Sequence, residues 1–389
     1  MVKLDSERIQ MNYYEKSDLA IRHLPVAFHE WEEKARHILA AGPFGYVHGG
    51  AGAGDTMLAN RKAFDKYRIR PRICCDISTR DLTIEIFGRK FPVPFLLAPI
   101  GVNSILHPEG EIIPAKVCAD AGVPYVLSNV SSRSMEEVAD VMKDAVRWFQ
   151  LYPPKDLELT RSFLDRAKKA GYSAIVVTVD STMLGWRETD LRNAYLPFLE
   201  GHGMGNYFSD PVFRSKLEQP PEKDKKTAVL KALSEGNNTC FTWEHFAEIR
   251  KLTDLPLLLK GMTHPHDARL AIEHGANGII VSNHGGRQLD GAIATLEALP
   301  EIVDAVGGDV PIVMDSGIRR GADILKALAL GATAVLVGRP YAYALAAAGH
   351  IGVKSVIENL VAETEFQLAI SGRSSLQQID SSLLTEIEV

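Results

Sequence analysis

Eight short apolar runs, each followed by polar residues, recur between residues 93 and 339. They are Val93–Pro99, Pro124–Ser128, Val146–Tyr152, Ala174–Asp180, Leu255–Lys260, Gly278–Ser282, Val310–Asp315 and Ala334–Arg339. Most are hydrophobic at nearly every position, which is typical of parallel strands buried on both faces. The pattern therefore predicts eight strands of a parallel sheet.

Helical patterns separate these runs along the chain. The clearest are Gly110–Ala121, Ser134–Met142, Asp156–Ala170, Thr242–Leu252, Asp267–Glu273 and Gly321–Leu330. Eight strands alternating with helices predict a closed (β/α)8 TIM barrel of the α/β class, with its active site at the carboxyl ends of the strands. A doubly wound open sheet is the weaker alternative, because no Gly-x-Gly-x-x-Gly turn follows an early strand.

The connection after the fourth run is unusually long. About 80 residues separate the ends of the fourth and fifth runs, far more than an ordinary strand-to-helix loop needs. We expect a structureless, lid-like insertion over residues 185–241 that covers the catalytic face or contacts another subunit. A disordered, solvated loop is the alternative for its Pro/Lys-rich half around Glu218–Lys226.

We expect two parts of the chain with different architecture. Residues 1–90 are predicted to form a helical N-terminal segment that packs on the barrel, and residues 91–389 the barrel itself. The glycine-rich run Phe44–Gly54 resembles a phosphate cradle but lacks the Lys-Ser/Thr ending of a P-loop. We interpret it as close backbone packing that presents Tyr46.

Composition narrows the function classes. The 389 residues have a formal charge of −6 and no basic run, which argues against nucleic acid as a partner. No apolar run could span a membrane, and Met1–Arg8 contain no signal-peptide pattern. The scattered residues Cys74, Cys75, Cys118 and Cys240 lack the spacing of disulfides or metal ligands. A cytoplasmic, thiol-reduced enzyme without a metal is expected.

The most distinctive motif is Ser282–Asp290, which follows a predicted buried strand. It places His284 and Arg287 three positions apart with two glycines between them, so the backbone can turn tightly beside a ligand. A base and a fixed cation on one short loop suit an acidic substrate that must lose a proton. The motif alone does not exclude a structural turn.

Polar side chains occur at the ends of most of the predicted strands. They include Ser128, Gln150, Tyr152, Thr178, Asp180, Lys260, Ser282, His284, Asp315 and Arg339, and Arg187 follows shortly after the fourth strand. In a barrel these ends converge, and a purely structural barrel does not require so many polar groups there. After strands seven and eight, Asp315–Gly321 and Gly338–Pro340 are typical of a phosphate site.

The residues alone leave two other classes open. A phosphate-binding barrel isomerase or lyase without redox chemistry could use His284 and Arg287 for enolisation equally well. A non-catalytic binding module is less favoured, because it gives Asp180, Lys260 and His284 no role.

These motifs together resemble the FMN-dependent 2-hydroxy acid oxidases. The runs Ser282–Asp290, Gln150–Tyr152, Thr178–Asp180, Lys260-Gly261 and Asp315–Gly321 carry the likeness, which extends in the same order from about Phe44 to Ile379. The resemblance implies FMN as cofactor, a small L-2-hydroxy acid such as L-lactate as substrate, and O2 as electron acceptor. It also implies a homo-oligomer, a tetramer or an octamer.

The resemblance further implies individual roles. His284 would be the base that takes a proton from the substrate, and Asp180 would hold its imidazole; whether the α-hydrogen leaves as hydride or as a proton stays open. Tyr152 would contact the substrate hydroxyl, and Lys260 would stabilise the reduced flavin. Binding of the substrate carboxylate would involve Arg187, Arg287 and Tyr46. The implied cofactor contacts are Pro99, Ile100, Gly101, Ser128, Gln150, Thr178, Lys260, Ser282, Asp315, Gly317, Arg319, Gly338 and Arg339.

Gly101, together with the runs Arg339–Tyr343, Asn206–Arg214 and Gly285-Gly286, resembles one subgroup of the family more than the others. Gly101 stands where many of these oxidases carry alanine beneath the flavin, and lactate 2-monooxygenase has glycine there. The missing methyl group would leave room to retain pyruvate and peroxide together, so that acetate, CO2 and water form. Close backbone packing is the other interpretation of Gly101. A plain oxidase that releases 2-oxo acid and H2O2, or transfer of electrons to a quinone or cytochrome, are the alternatives.

Overall fold

Eight parallel strands form a closed barrel in the computed structural model. They are β1 (Phe95–Leu97), β2 (Tyr125–Ser128), β3 (Arg147–Leu151), β4 (Ile175–Thr178), β5 (Leu257–Met262), β6 (Gly278–Val281), β7 (Ile312–Met314) and β8 (Ala334–Val337). Each lies within or overlaps one predicted run. Because β8 pairs with β1, with Val335 opposite Phe95, the sheet has no open edge and the doubly wound alternative is wrong.

The described structure covers residues 5–15 and 23–387. Residues 1–4, 16–22 and 388–389 lie outside it. The prediction that Met1–Arg8 contain no signal peptide falls partly on these residues. Within the described residues, no helix has both the length and the apolar character needed to cross a lipid bilayer. The cysteines are unpaired, with Cys118 buried and the other three exposed.

Alternate residues of the strands face two separate cores. Leu96, Trp148 and Val176 point into the barrel interior, while Leu97 and Phe149 point outward to the helices. Burial of both faces explains why the strands are apolar at nearly every position. The barrel is therefore a packed scaffold whose strand ends are held rigidly.

Helices follow the strands and surround the barrel. They are Ile112–Ala121, Met135–Met142, Leu157–Lys169, Trp243–Leu252, Pro265–Glu273, Thr295–Val306, Gly321–Ala329 and Arg339–Ile370. The last contains non-helical backbone at Ala348 and Gly349, so it is two helices that meet at a kink. Ser134 and Asp156 cap two of these helices, at the boundaries that the sequence predicts.

The N-terminal segment is not purely helical. Its described part contains the helices Ser6–Glu15, Phe28–Ile38, Ala41–His48 and Asp55–Asp65 and the short strands Tyr67–Ile69, Ile84–Ile86 and Arg89–Phe91. The last two strands form a hairpin, from which Phe87 and Phe91 pack against Trp148 inside the barrel. The hairpin therefore lies at the barrel end opposite the strand carboxyl ends. Tyr67–Ile69 pairs with the strand Leu384–Glu386.

The long connection after β4 is ordered, so the expectation of a structureless insertion is wrong. It contains the short helices Glu188–Arg192, Pro197–Glu200, Gly205–Phe208 and Pro211–Ser215 and the longer helix Lys225–Gly236. Asn206 holds it in place: this fully buried amide accepts a hydrogen bond from Met135 N and donates to Asn129 O and Ser131 Oγ. The short helices lack an amphipathic period long enough to recognise, and tertiary contacts fix them instead.

Candidate active site

A cavity of about 520 Å³ opens at the carboxyl ends of the barrel strands. Fourteen of the predicted site residues line it: Tyr46, Pro99, Ile100, Gly101, Tyr152, Arg187, Lys260, His284, Arg287, Asp315, Gly317, Arg319, Gly338 and Arg339. The remaining five, Ser128, Gln150, Thr178, Asp180 and Ser282, lie on β2, β3 and β4 or directly after β4 and β6. The fold thus brings residues from almost every strand end to one cavity.

The turn after β6 projects His284 into this cavity. His284, Gly285 and Gly286 all have left-handed backbone, with φ of 58°, 67° and 74°. A non-glycine residue with a φ of 58° has a strained backbone. Such a residue keeps this conformation only because contacts with the surrounding structure hold it, as is common at functional sites. Asn283 supplies part of that support through reciprocal side-chain hydrogen bonds of 2.8 and 2.9 Å with buried Asn60.

His284 forms a dyad with a carboxylate from the neighbouring part of the barrel. Its Nδ1 lies 2.9 Å from Asp180 Oδ1 and 3.1 Å from Ser181 Oγ. When Nδ1 carries the proton and donates to the carboxylate, Nε2 is left free to accept one from a ligand. This is the arrangement of a general base with an orienting carboxylate.

The electrostatics of the dyad agree with that role. Burial lowers the pKa of His284 below its ordinary value, with Asp180 opposing and Lys260 reinforcing the change. Burial alone would raise the pKa of Asp180, but His284 and Lys260 hold it at about 2. At neutral pH the imidazole is therefore neutral and the carboxylate ionised, so the base is ready to accept a proton.

Tyr152 follows β3 and faces the same imidazole. Its hydroxyl lies 3.4 Å from His284 Nε2, and burial raises its pKa above the ordinary value. The phenol therefore keeps its proton and can donate a hydrogen bond to an oxygen placed between the two side chains.

Two arginines face the cavity from separate loops. Arg187 Nε donates to Arg287 O at 3.0 Å, and both guanidinium groups lie over the Tyr46 ring, at 5.8 and 4.9 Å from its centre. Burial, followed by repulsion from Arg187, lowers the pKa of Arg287 to about 9. Buried like charges of this kind favour a bound anion such as a carboxylate.

Lys260 comes from β5 at an irregular point in its pairing. The register shifts between Lys260 and Met262, and Gly261 has a φ of 112°, where an added Cβ would lie 2.6 Å from Asp180 Cβ. Lys260 Nζ donates to Ser282 Oγ at 2.8 Å and lies 3.3 Å from Asp315 Oδ2. Burial opposes its charge, but Asp315 and Asp180 raise its pKa, so it is a buried cation.

Two of the buried polar atoms near the carboxyl ends of β3 and β4 have no hydrogen-bond partner among the described residues. Gln150 Nε2 and Thr178 Oγ1 are orphaned, whereas Ser128 Oγ donates to Gln150 Oε1 at 2.9 Å. Buried donors are costly unless a ligand satisfies them. A planar ring with polar atoms along its edge, as in a flavin, fits this row of donors and the nearby Lys260.

A second cluster lies where β7 and β8 end. Gly317 has a φ of 88°, and an added Cβ would lie 2.7 Å from Asn60 O, so glycine is required there. Gly338 precedes the first turn of the helix Arg339–Ile370, where Pro340 has no N–H and Tyr341 N donates to Gly338 O at 3.1 Å, so a phosphate there would depend chiefly on guanidinium donors. Burial, and then Arg339 and Arg61, lower the pKa of Arg319 to about 9. The donor set therefore suits the phosphate of FMN.

The structure favours the packing interpretation of Gly101. A Cβ at Gly101 would lie 2.6 Å from Val130 Cγ2 and 2.7 Å from Val130 O. The missing methyl group thus permits two loops to touch, and the expectation that it leaves extra room beside the flavin receives no support from this contact.

The insertion supplies an apolar roof to the cavity. Its lining side chains include Leu196, Phe198, Met204, Tyr207 and Leu233. Most of the polar groups described above lie at the strand ends, whereas Arg187 comes from the start of the insertion and Tyr46 from the helix Ala41–His48. The cavity therefore has a charged floor and a largely apolar cover. Such an enclosure suits a small organic acid with a hydrocarbon side chain.

Sequence reasoning missed four polar side chains around the site. Ser181 contacts the dyad, Asp190 Oδ2 lies 4.0 Å from Arg187 Nη1, and Gln288 contacts the loop that carries Arg187. Ser316 Oγ accepts from Gly285 N at 2.9 Å and links the loops after β6 and β7. Gln288 stands inside the quoted motif, but its partners are distant in the chain.

Comparisons with known proteins agree with this geometry. The model of a family described as FMN-dependent dehydrogenase matches residues 35–386. The chain is 45% identical to the L-lactate oxidase of Lysinibacillus sphaericus, over 93% of each chain. It is 39% identical to the glycolate oxidase of Spinacia oleracea, over 91% of this chain and 94% of that one. A crystal structure of mandelate oxidase aligns with a TM-score of 0.82 at 40% identity, over 93% and 98% of the two chains.

Proposed function

This chain belongs to the FMN-dependent dehydrogenase family, and on that basis we propose that it oxidises a small L-2-hydroxy acid, L-lactate first among them, with O2 as the electron acceptor. Family membership makes it an FMN-dependent 2-hydroxy acid oxidoreductase and removes the alternative of a non-redox isomerase or lyase. The observation that carries the proposal is the His284–Asp180 dyad, which shares one cavity with two arginines and a buried lysine.

Each of these residues has a chemical task. Arg187 and Arg287 bind the substrate carboxylate, with Tyr46 against both guanidinium groups. His284 Nε2 takes a proton from the substrate, and Asp180 stabilises the imidazolium that forms. Tyr152, protonated because its pKa is raised, donates a hydrogen bond to the substrate oxygen beside His284.

FMN, when bound, supplies the two-electron acceptor for the substrate. The residues that would hold its ring are Pro99, Ile100, Gly101, Ser128, Gln150, Thr178, Lys260 and Ser282. Asp315 would bind the ribityl hydroxyls, and Gly317, Arg319, Gly338 and Arg339 the phosphate. The Lys260 ammonium, kept charged by Asp315 and Asp180, would favour negative charge on the ring.

The product outcome we propose is a free 2-oxo acid and H2O2. Contact of Gly101 with Val130 accounts for the glycine by packing, and the L-lactate oxidase relative is named for the plain oxidase reaction. A monooxygenase outcome, giving acetate, CO2 and water, is the second candidate. The apolar roof that includes Phe198 and Met204 favours it, because an enclosed cavity retains a small product longer.

The cellular setting belongs to the proposal as well. Three of the four unpaired cysteines are exposed, which suits a reducing compartment such as the cytoplasm. The tetramer or octamer implied by the resemblance stays a prediction. Light scattering of the purified protein tests it.

The deciding experiment is the visible absorption spectrum of the purified protein, taken without oxygen before and after addition of L-lactate. An oxidised flavin spectrum that bleaches supports the cofactor and the substrate together. A spectrum that other 2-hydroxy acids bleach, but not L-lactate, contradicts the choice of lactate. After air is readmitted, one H2O2 and one pyruvate per lactate support the oxidase, whereas acetate and CO2 support the monooxygenase.

A further inference from the structure

The Gln288 carboxamide joins the loop after β4 to the loop after β6 through four hydrogen bonds. Its Nε2 donates to Asp180 O at 3.1 Å and to Met183 O at 2.9 Å. Its Oε1 accepts from Gly185 N at 3.4 Å and from Arg187 Nη2 at 2.9 Å. All the hydrogen-bonding capacity of one half-buried amide is thus directed at a single segment, residues 180–187.

That segment has few other means of support. Met183, Leu184 and Trp186 are 62%, 56% and 71% exposed, so its apolar side chains contribute little packing. Gly185 fits directly against the β6 loop, where an added Cβ would lie 2.6 Å from Arg287 O. The amide therefore provides four of the hydrogen bonds that fix the segment, beside the bond from Gly52 N to Trp186 O at 2.8 Å and the contacts of Asp180 and Ser181 with His284.

The same amide orients the guanidinium of Arg187. Nη2 donates to Gln288 Oε1, Nε donates to Arg287 O, and Nη1 lies 4.0 Å from Asp190 Oδ2. Two of its nitrogens are thus anchored by hydrogen bonds, which fixes the plane of the group and leaves its face over Tyr46. Without Gln288 Oε1, one of the two precise anchors is lost and the guanidinium can rotate.

We propose that Gln288 is a positioning residue that aligns Arg187 with Arg287, so that the two arginines bind a carboxylate together. Gln288 borders the cavity, but its carboxamide is engaged by residues 180–187, so it acts on the substrate through Arg187. The inference rests on the proposed function for the identity of the substrate, but it requires only that the ligand carries a carboxylate.

The test uses the FMN-loaded enzyme and propionate, a carboxylate without a hydroxyl group to oxidise. Binding is followed by the change in flavin absorbance on titration. In Gln288→Met the dissociation constant of propionate and the KM for L-lactate should rise about tenfold, the size of one lost hydrogen bond to a charged group. The kcat should change little, because carboxylate binding is equal in the ground and transition states.

Two further variants sharpen the result. Gln288→Glu keeps the acceptor oxygens but cannot donate to Asp180 O and Met183 O. It also adds an anion beside Arg187 and Arg287, so propionate should bind more weakly than in Gln288→Met. Gln377→Met, an exposed glutamine near the end of the chain, is the matched control and should behave as wild type.

A double-mutant cycle separates positioning from general destabilisation. If Gln288 acts through Arg187, Gln288→Met should add almost nothing to the loss of propionate affinity in an Arg187→Ala background. A full additional tenfold loss there would overturn the proposal, as would a Gln288→Met enzyme with wild-type propionate affinity and KM. If Gln288→Met does not fold, the uncharged variant Gln288→Ala in the same cycle decides the question.

Failure of the proposed function has a different signature. In that case no 2-hydroxy acid bleaches the flavin of the wild-type enzyme, while the propionate titrations still measure how Arg187 and Arg287 bind a carboxylate. If lactate bleaches the wild-type enzyme but propionate does not bind, the joint binding of a carboxylate by Arg187 and Arg287 is wrong, while the proposed function stands.

Discussion

His284 Nδ1 and Asp180 Oδ1 lie 2.9 Å apart, although 104 positions separate the two residues in the chain. The carboxyl ends of β4 and β6 bring them together across the mouth of the barrel. The pair is partly buried, and at neutral pH the carboxylate is ionised while the imidazole is neutral. Its pH behaviour follows from that asymmetry.

Substitution of Asp180 by asparagine should alter the pH profile in a defined direction. The base form of His284 is the neutral imidazole, so kcat/KM should rise with pH through its lowered pKa and level off near neutrality. Without the carboxylate the imidazolium loses its partner, so its pKa falls further and the rising limb moves to lower pH. The plateau should drop about a hundredfold or more. A limb displaced to higher pH would contradict the assignment.

Loss of the base itself should separate catalysis from cofactor binding. His284→Ala should reduce kcat by about a thousandfold while the purified protein keeps its FMN, because the ring contacts come from other residues. The comparison is His266→Ala, whose side chain is 70% exposed and is not among the residues that line the cavity, and which should retain full activity. An active His284→Ala enzyme would remove the histidine from the mechanism.

The two arginines at the phosphate end should respond differently to substitution. Arg339 donates from Nε and both terminal nitrogens to the carbonyls of Val47, Gly285 and Gly49, so its alanine variant should lower the Tm and weaken all flavin binding. Among the described residues, the Arg319 side chain makes one hydrogen bond, to Ile318 O, and its guanidinium lies 4.3 Å from the centre of the Phe28 ring. Arg319→Ala should therefore weaken FMN binding about tenfold or more.

Riboflavin, which lacks the phosphate, is the control ligand for that comparison. Its dissociation constant for the Arg319→Ala apoprotein, measured by flavin fluorescence, should match wild type. An equal loss of affinity for riboflavin and FMN would show that Arg319 does not act on the phosphate.

An added methyl group at Gly101 should cost stability. Gly101→Ala drives its Cβ against Val130, and such overpacking typically costs about 1–3 kcal/mol, which thermal unfolding can detect. Val130→Ala in the same chain should restore part of the loss, since it relieves the contact with Cγ2 but not that with the carbonyl oxygen. The ratio of H2O2 to pyruvate should stay that of the parent. A changed ratio of H2O2 to pyruvate with an unchanged Tm would instead support a role for Gly101 beside the flavin.

The barrel could be predicted from the sequence because its strands are buried on both faces. Continuous apolar runs such as Ala174–Asp180 mark each strand, and the polar residue that ends each run marks the site. His284, Asp180 and Lys260 were recognisable for that reason. Two-sided burial is a local signal, visible without knowledge of the rest of the fold.

The features that sequence reasoning missed depend on contacts between distant parts of the chain. The hairpin of Ile84–Ile86 and Arg89–Phe91 is too short to show a period, and it is fixed by packing against Trp148. The insertion is ordered by Asn206, an isolated polar residue with no pattern around it. Gln288 belongs to a recognisable motif, yet nothing local indicates that its amide contacts Met183.

The pairing of Tyr67–Ile69 with Leu384–Glu386 has a consequence for biosynthesis. The ribosome releases the first of these strands long before its partner, and the loops that surround the flavin come from residues as far apart as Tyr46 and Arg339. A nascent chain that stops short of Arg339 cannot form the phosphate end of the site. The flavin site is therefore complete only after the segment around Arg339 has packed against the segment around Tyr46, where Arg339 Nε donates to Val47 O.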